Sequence, residues 1–325
     1  MSDDEPVPPR AFPTSARAPG KCILFGEHAV VRGAPELVLA IDLDTQAFVE
    51  PAPVSQLNAD AGAAVQNPYF RDALAAVGGA AYAVRTVSRI PRSAGLGSSA
   101  AFVAAVSAAL AAGVGGVDRA TLAQRCFAVE RSAQGVGSPG DTSTSVAGGY
   151  VTLNAGVAGG SPLWTVRAGE ERWEVRRAPD PGWAWIVAYS GIPRSTSDAV
   201  RAVSARLERE DGPALLEQFA DVARRGIAAV ADGDRREVGR LLGRNQELLR
   251  EVGVSHPRLE ALLDAAAPAA EGAKVTGAGC GGSLVALPIP GREVELVRRL
   301  ARAGAVPFPV RPSPGVALVE RPALR

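Results

Sequence analysis

Apolar and polar positions follow two different periods along the chain. Cys22 to Phe25 and Ala29 to Val31 are short apolar runs and read as buried strands around a Gly26-Glu27-His28 turn. Leu37–Leu43 and Ala47–Val54 predict two more strands, and Tyr82–Ile90 alternates as another. Ala100 to Val114 reads as an Ala-rich buried helix, with a second helix over Arg119 to Arg131. Gln134 to Ser145 is polar and turn-forming, before a strand at Gly149–Leu153. Residues 154–181 read as loop with short strands. The second half opens with a strand at Trp183–Tyr189 and a helix near Ser197–Arg209. Leu216, Phe219, Ala223, Ile227 and Val230 recur at steps of three and four, one face of an amphipathic helix. Val238, Leu241, Leu242, Leu248 and Leu249 mark the next, and Pro257–Ala266 a shorter one. A strand at Ser283–Leu287, a helix near Arg292–Ala303 and a strand near Gly315–Val319 close the chain. Strands and helices mix without strict alternation, which favours an α+β fold over a doubly wound sheet.

Composition narrows the class. The chain has 325 residues, of which 47% are hydrophobic and 21% charged, so it forms a core. That length predicts two domains of ordinary size. Residues 1–17 combine Pro6, Pro8, Pro9 and Pro13 with Asp3, Asp4 and Glu5 and read as a mobile tail. Lys+Arg 35 against Asp+Glu 34 gives a net charge of +1, which argues against nucleic acid as a partner. Cys22, Cys126 and Cys280 are odd in number and far apart, which fits a reducing cytoplasm and no disulfide framework. With only His28 and His256, no Cys/His cluster has zinc spacing. No apolar signal region opens the chain. Ala100–Val114 is shorter than the roughly 20 residues a membrane span needs. Lys21 and Lys274 are the only lysines among the 35 basic residues. GC-rich coding explains the arginines, and a lysine that survives it can mark a site that needs a compact ammonium.

The sharpest local signal is G-L-G-S-S-A at Gly95–Ala100, two glycines and two hydroxyls opening a helix. Glycine lets the backbone approach an anion, and a helix start offers free N–H groups and a positive dipole end. The alternative is a tight strand–helix turn capped by Ser98 or Ser99. A Walker A loop needs a lysine here that is absent, and the G-x-S-x-G elbow is absent too. A dinucleotide site would want an acid at a strand end about 20 residues on, whereas Asp118 precedes a helix. A nucleoside triphosphate site of another design remains. It would need Mg²⁺, for which Ser98 and Glu130 are candidates, Glu130 being otherwise a solvated helix carboxylate. It would need a carboxylate at the acceptor hydroxyl, for which Asp141 is a candidate, being otherwise a turn or capping residue. Lys21 would neutralise charge on the γ-phosphoryl group.

Three ordered blocks carry a resemblance: P-G-K-C-I-L-F-G-E-H-A-V-V, I-P-R-S-A-G-L-G-S-S-A-A and K-V-T-G-A-G-C-G-G. They resemble the three motifs of the GHMP kinases, the family of galactokinase and of homoserine, mevalonate and phosphomevalonate kinases. G-E-H-A-V-V is similar to the branch that acts on mevalonate, and V-E-R-S-A-Q-G-V-G-S-P-G-D-T-S-T-S to its archaeal form. The likeness runs over nearly the whole chain from Ala18, and Y-S-G-I-P-R-S-T and G-R-N-Q-E-L-L are also similar.

The resemblance implies ATP-dependent phosphorylation of the 5-hydroxyl of mevalonate, in isoprenoid synthesis. It implies a ribosomal-protein-S5-like N-terminal domain over 18–170 and a ferredoxin-like C-terminal domain over 171–325, with a homodimer as the form relatives suggest. Asp141 would be the catalytic carboxylate with Lys21 beside it and the acceptor oxygen. Ser98 and Glu130 would hold Mg²⁺. ATP would lie on Pro91, Arg92, Ser93, Ala94, Gly95, Leu96, Gly97, Ser98, Ser99 and Ala100, with Gly95 to Ser99 around the phosphates. Glu27, His28 and Thr196 would face mevalonate with Lys21 and Asp141. Cys280 stands where the third motif commonly has glycine, at a cost of about 1 kcal/mol if the position needs positive φ. Arg194 reads either as a contact to the substrate carboxylate or as a surface residue, and Lys274 as a strand-edge or surface residue. A kinase for phosphomevalonate or for the 3-hydroxyl of mevalonate is the neighbouring reading, and a non-catalytic nucleotide sensor the one from another class.

Overall fold

A computed structural model of the chain describes residues 7, 8, 10–135, 137–193 and 196–320, the side chains of 196–198 and 200 excepted. In chain order the first half holds β1 (Thr14–Phe25), β2 (Glu36–Pro51), β3 (Gln56–Leu57), α1 (Ala61–Gln66), α2 (Pro68–Ala75), β4 (Tyr82–Ser88), α3 (Ser98–Gly113), α4 (Arg119–Gln134), α5 (Gly140–Ala147), β5 (Tyr150–Leu153), β6 (Ser161–Ala168) and β7 (Glu171–Ala178). The second half holds β8 (Trp185–Tyr189), α6 (Thr196–Leu207), α7 (Gly212–Ala231), α8 (Arg235–Glu251), α9 (Pro257–Ala266), β9 (Ala270–Thr276), β10 (Ser283–Pro288), α10 (Glu293–Arg302), β11 (Val306–Val310) and β12 (Ala317–Leu318).

The larger sheet runs β12-β1-β2-β5-β7-β6, with β4 paired to the far part of β2 and to β3. The smaller runs β11-β8-β10-β9. Helix α3 is apolar all round and buried over most of its length, as such a helix must be. Its alanines let it lie close on β1 and β2. In the smaller sheet, Ile186, Ala188, Leu284 and Ala286 meet Leu262, Leu263, Leu296 and Leu300 of α9 and α10. The opposite face, with Val187, Val275 and Val285, belongs to the core that also holds Leu24, Phe25 and Leu39 of the larger sheet. Helix α7 bridges the two: Gly226 lies so near the Phe25 ring that an added Cβ would come within 2.5 Å of it.

Several expectations need correction. The tail expected over 1–17 is packed from Val7 onward within the described residues: Val7 bridges Val117, Phe12 stacks on Tyr82, and β1 begins at Thr14. The space for Phe12 exists because residue 113 is glycine, whose added Cβ would collide with the ring. Ala29–Val31 is no strand; Val30–Arg32 is a short 3-10 turn ended by Gly33 at φ 87°. The two strands expected between Leu37 and Val54 are one, β2, which pairs β1 along its length, β5 near its start and β4 near its end. The short strands expected within residues 154–181 are present as β6 and β7, paired with each other. The boundary expected at 170/171 therefore falls inside that hairpin. By strand pairing the change of sheet comes between Ala178 and Trp185, and β12 returns to the larger sheet. The turn expected at Gln134–Ser145 is in part the helix α5.

Candidate active site

Three segments distant in sequence meet at one cavity of about 950 Å³. The end of β1, the Ser93–Ser99 loop and the turn after β9 are tied together by hydrogen bonds. Lys21 N donates to Leu96 O (2.9 Å), Ser283 Oγ to Ala94 O (2.8 Å), and Ile23 N to Thr276 Oγ1 (2.8 Å). His28 Nε2 lies 3.1 Å from Ala278 O.

The loop before α3 has the geometry of an anion cradle. Ser93, Gly95 and Gly97 take positive φ (56°, 84° and 74°). Gly97 is the N-cap of α3, and no side chain caps it, so the capped-turn alternative for Ser98 and Ser99 is not what forms. An added Cβ at Gly97 would come within 2.7 Å of Lys21 Cγ, and one at Gly20 within 2.6 Å of Leu96 O. Glycine at both positions lets β1 press against the loop and brings the Lys21 ammonium under the helix start.

Lys21 is 1% exposed and its Nζ lies 2.8 Å from Asp141 Oδ1, Asp141 being 27% exposed. Asp141 stands in the first turn of α5, where a carboxylate meets the positive end of the helix dipole. Every other residue of α5 is buried, and Ser145 Oγ donates to Pro19 O (2.9 Å), which fixes the helix against β1.

Glu130, on α4, is buried and lines the same cavity. Its Oε1 accepts from Ser99 Oγ (2.7 Å) and Gln134 Nε2 (3.0 Å). Ser98 lines the cavity one residue before Ser99. A hydroxyl and a carboxylate beside an amide-rich loop are hard oxygen donors and fit Mg²⁺, which takes only one or two protein ligands when phosphates supply others. No cluster of three or more His, Cys, Asp or Glu forms a metal cage among the described residues.

Glu27 is buried at the cavity wall and forms an ion pair with Lys274 from β9. Asn245 Nδ2 donates to the same carboxylate (3.2 Å), and Lys274 Nζ also reaches Ile23 O (3.3 Å). Burial pushes the Glu27 carboxyl up and the Lys274 ammonium down, and each partner's charge opposes that push. Lys274 is thus no surface residue: β9 is an edge strand, but α8 covers it, Gln246 Oε1 accepting from Val275 N (2.9 Å).

Of the residues expected at the site, Lys21, Glu27, His28, Pro91, Ser93, Ala94, Gly95, Gly97, Ser98, Ser99, Glu130 and Asp141 line this cavity. Leu96 and Ala100 do not; they are buried behind it as packing for the loop. Arg92 is exposed and lies off the cavity wall. Arg194 and the side chain of Thr196 lie outside the described residues. Sequence reasoning missed Glu36, which faces Asp141, and its partner Ser138, as well as the partners Lys274 and Asn245 of Glu27. For Glu36 a signal existed: it is the one acid opening the apolar run L-V-L-A-I.

Comparison with known proteins gives the family. The model of the GHMP kinases N terminal domain matches residues 63–149, and that of the GHMP kinases C terminal matches 227–306. The mevalonate kinase of Pyrococcus abyssi is 31% identical over 91% of this chain and 94% of its own. That of Archaeoglobus fulgidus is 31% identical over 84% and 91%. This chain is a member of the GHMP kinase family. The α+β arrangement of two sheets is the two-domain GHMP kinase architecture. Solved structures share it: L. major mevalonate kinase in complex with R-mevalonate (TM-score 0.76, 22% identity, 96% of this chain and 99% of that one) and Methanococcus jannaschii mevalonate kinase (TM-score 0.72, 22%, 94% and 100%). No described helix of this GHMP kinase is long and apolar enough to cross a membrane.

Proposed function

We propose that this GHMP kinase transfers the γ-phosphoryl group of ATP to the 5-hydroxyl of mevalonate, giving 5-phosphomevalonate and ADP. The observation that carries the reading is the Lys21–Asp141 pair, 2.8 Å apart, on the wall of the cavity that also holds the Gly95–Ser99 loop. The relatives that cover most of this chain at 31% identity are mevalonate kinases, which supports the substrate.

In this reading the phosphates lie on the Gly95–Ser99 loop and the start of α3, where glycines admit the close approach and N–H groups face the anion. Ser98 and Glu130 would hold Mg²⁺, which when bound would supply charge neutralisation at the phosphates. The 5-hydroxyl lies against Asp141. Its oxygen forms the new bond to the γ-phosphorus while the bond to the ADP oxygen breaks, and its proton passes to Asp141. Lys21 balances negative charge on both the carboxylate and the transferring group. Glu27, held by Lys274 and Asn245, and His28, held at φ 64° with its ring against Ala278 O, shape the acceptor end.

The test is purified protein with ATP, Mg²⁺ and mevalonate, following ADP release and assigning the product by phosphorus NMR. ADP release with a 5-phosphate product is expected. Inert mevalonate with turnover of phosphomevalonate, or phosphate on the 3-hydroxyl, would replace the substrate assignment within the same family.

A further inference from the structure

The acceptor end of the cavity gathers three acids and two ammoniums, and the pairing leaves one acid over. Lys21 pairs with Asp141, and Lys274 with Glu27. The third acid, Glu36, opens β2 directly after Pro35 and lines the same cavity at 2% exposure. Its Oε2 is buried and has no hydrogen-bond partner among the described residues. That oxygen lies against the backbone of Gly140, so close that a Cβ there would collide with it. Gly140 immediately precedes Asp141, so the Glu36 and Asp141 carboxyl groups are neighbours on one wall.

We propose that Glu36 is a substrate-positioning residue, hydrogen-bonding an oxygen of the hydroxy-acid acceptor beside Asp141. The proposal rests on the mevalonate reading above. The groups facing Glu36 are Asp141 from α5, Lys21 from β1, Glu27 from the turn after β1, and the Ser138 hydroxyl from the loop before α5, which hydrogen-bonds the carboxyl and opposes part of the upward push on it. An ionised carboxylate buried here without its own counter-ion is strongly disfavoured. Burial, and then the like charge of Asp141, hold the Glu36 carboxyl well above the usual carboxylate range. The neutral group has an O–H to donate. A donor suits an acceptor that is itself an anion, whereas a third carboxylate would repel it. Glu36 then fixes the acceptor while Asp141 receives the proton of the reacting hydroxyl.

The test compares wild type, Glu36→Ala and Glu36→Gln by steady-state kinetics with ATP and mevalonate across neutral and alkaline pH. Glu36→Ala is expected to raise KM for mevalonate about tenfold or more, with KM for ATP changed less than about twofold. Glu36→Gln retains an N–H donor. It is expected to keep KM for mevalonate near the wild-type value where Glu36 is protonated, and to lose the rise in KM expected of wild type as pH climbs through the raised Glu36 value. Equal rises in both KM values for Glu36→Ala, or a rise in KM with pH that is absent from wild type or persists in Glu36→Gln, would overturn the proposal. If Glu36→Ala does not fold, the pH profile of Glu36→Gln decides alone. Wild-type protein that ignores mevalonate but phosphorylates another hydroxylated acceptor would refute the substrate reading, and the same comparison on that acceptor then decides Glu36.

Discussion

Lys21 Nζ and Asp141 Oδ1 stand 2.8 Å apart, joining the end of β1 to the first turn of α5 at the cavity wall. The ammonium is enclosed and the carboxylate is not, so the pair presents Asp141 to the cavity and keeps Lys21 as fixed charge behind it. Asp141→Asn keeps the shape and removes the carboxylate proposed to receive the proton. It is expected to lower kcat about 10²–10⁴-fold with KM for ATP little changed. Steady-state kinetics checks this, and a loss of only a few-fold would reduce Asp141 to a positioning role. Lys21→Arg is expected to be damaging as well, because the enclosed site has no room for a planar fork.

Gly97 separates two reasons for glycine. Its φ of 74° alone makes a side chain cost about 1 kcal/mol. Its added Cβ would also come within 2.7 Å of Lys21 Cγ. Gly33, at φ 87°, has open space around its added Cβ. Gly33→Ala is therefore expected to cost about 1 kcal/mol in urea melts and to leave kcat alone. Gly97→Ala is expected to cost more and to lower kcat, because Lys21 must move. Equal kcat in the two variants would break the link between this glycine and the lysine.

The buried Glu27–Lys274 pair ties the G-E-H turn to the third motif. Lys274→Met strands Glu27 without a counter-ion and is expected to destabilise the fold by about 3–5 kcal/mol. The double variant Lys274→Met/Glu27→Gln is expected to regain most of that loss, since an uncharged side chain needs no ion partner. Urea denaturation of the two variants and of Glu27→Gln closes the cycle. No recovery in the double variant would show that Lys274 acts through packing alone.

How much of this was legible in the sequence depends on what kind of signal each residue leaves. The Gly95–Ser99 loop was legible because its glycines are demanded by local backbone geometry, and the block around Lys21 because it resembles a family motif. The strong amphipathic helices were legible for the same local reason, their apolar spacing. Helix α5 was not. G-D-T-S-T-S is a poor helix-forming stretch, and only burial of its hydroxyl-bearing face against β1 makes it helical. Glu36 left only a weak signal, an acid opening an apolar run, because an acid at a strand start usually faces water and only the fold turns it toward Asp141. Lys274 was misread because its partners, Glu27 and Asn245, come from segments that only tertiary packing brings near. Chemistry was thus readable within one segment, or across segments where the family resemblance supplied the pairing, as for Lys21 and Asp141, and hidden where neither did.

Glu36 also sets a pH dependence of stability. Its carboxyl in the folded protein titrates well above the ordinary value of 4.5, because burial and the Asp141 charge disfavour its ionised form. The folded state therefore binds more protons than the unfolded state between those two values. Its contribution to stability is fully present below about 4.5 and is lost as pH rises through the elevated folded value. Glu36→Gln removes this titration. The stability of the variant relative to wild type is expected to rise with pH over that interval, measured by urea melts at a series of pH values. A pH-independent difference would mean that Glu36 is not the titrating group.

Cys280 occupies a left-handed position, φ 58°, within the turn G-A-G-C-G-G, where its N–H donates to Val254 O (2.7 Å). A non-glycine residue there carries about 1 kcal/mol of backbone strain. Cys280→Gly relieves it, although glycine gives back part of the gain by adding freedom to the unfolded chain. The net expectation is a stabilisation of no more than about 1 kcal/mol in urea melts. Cys280→Ala is the discriminating control. It removes the thiol and keeps the Cβ, so the strain stays and no gain is expected. If alanine stabilises as much as glycine, the sulfur and not the backbone conformation is what costs stability at this turn.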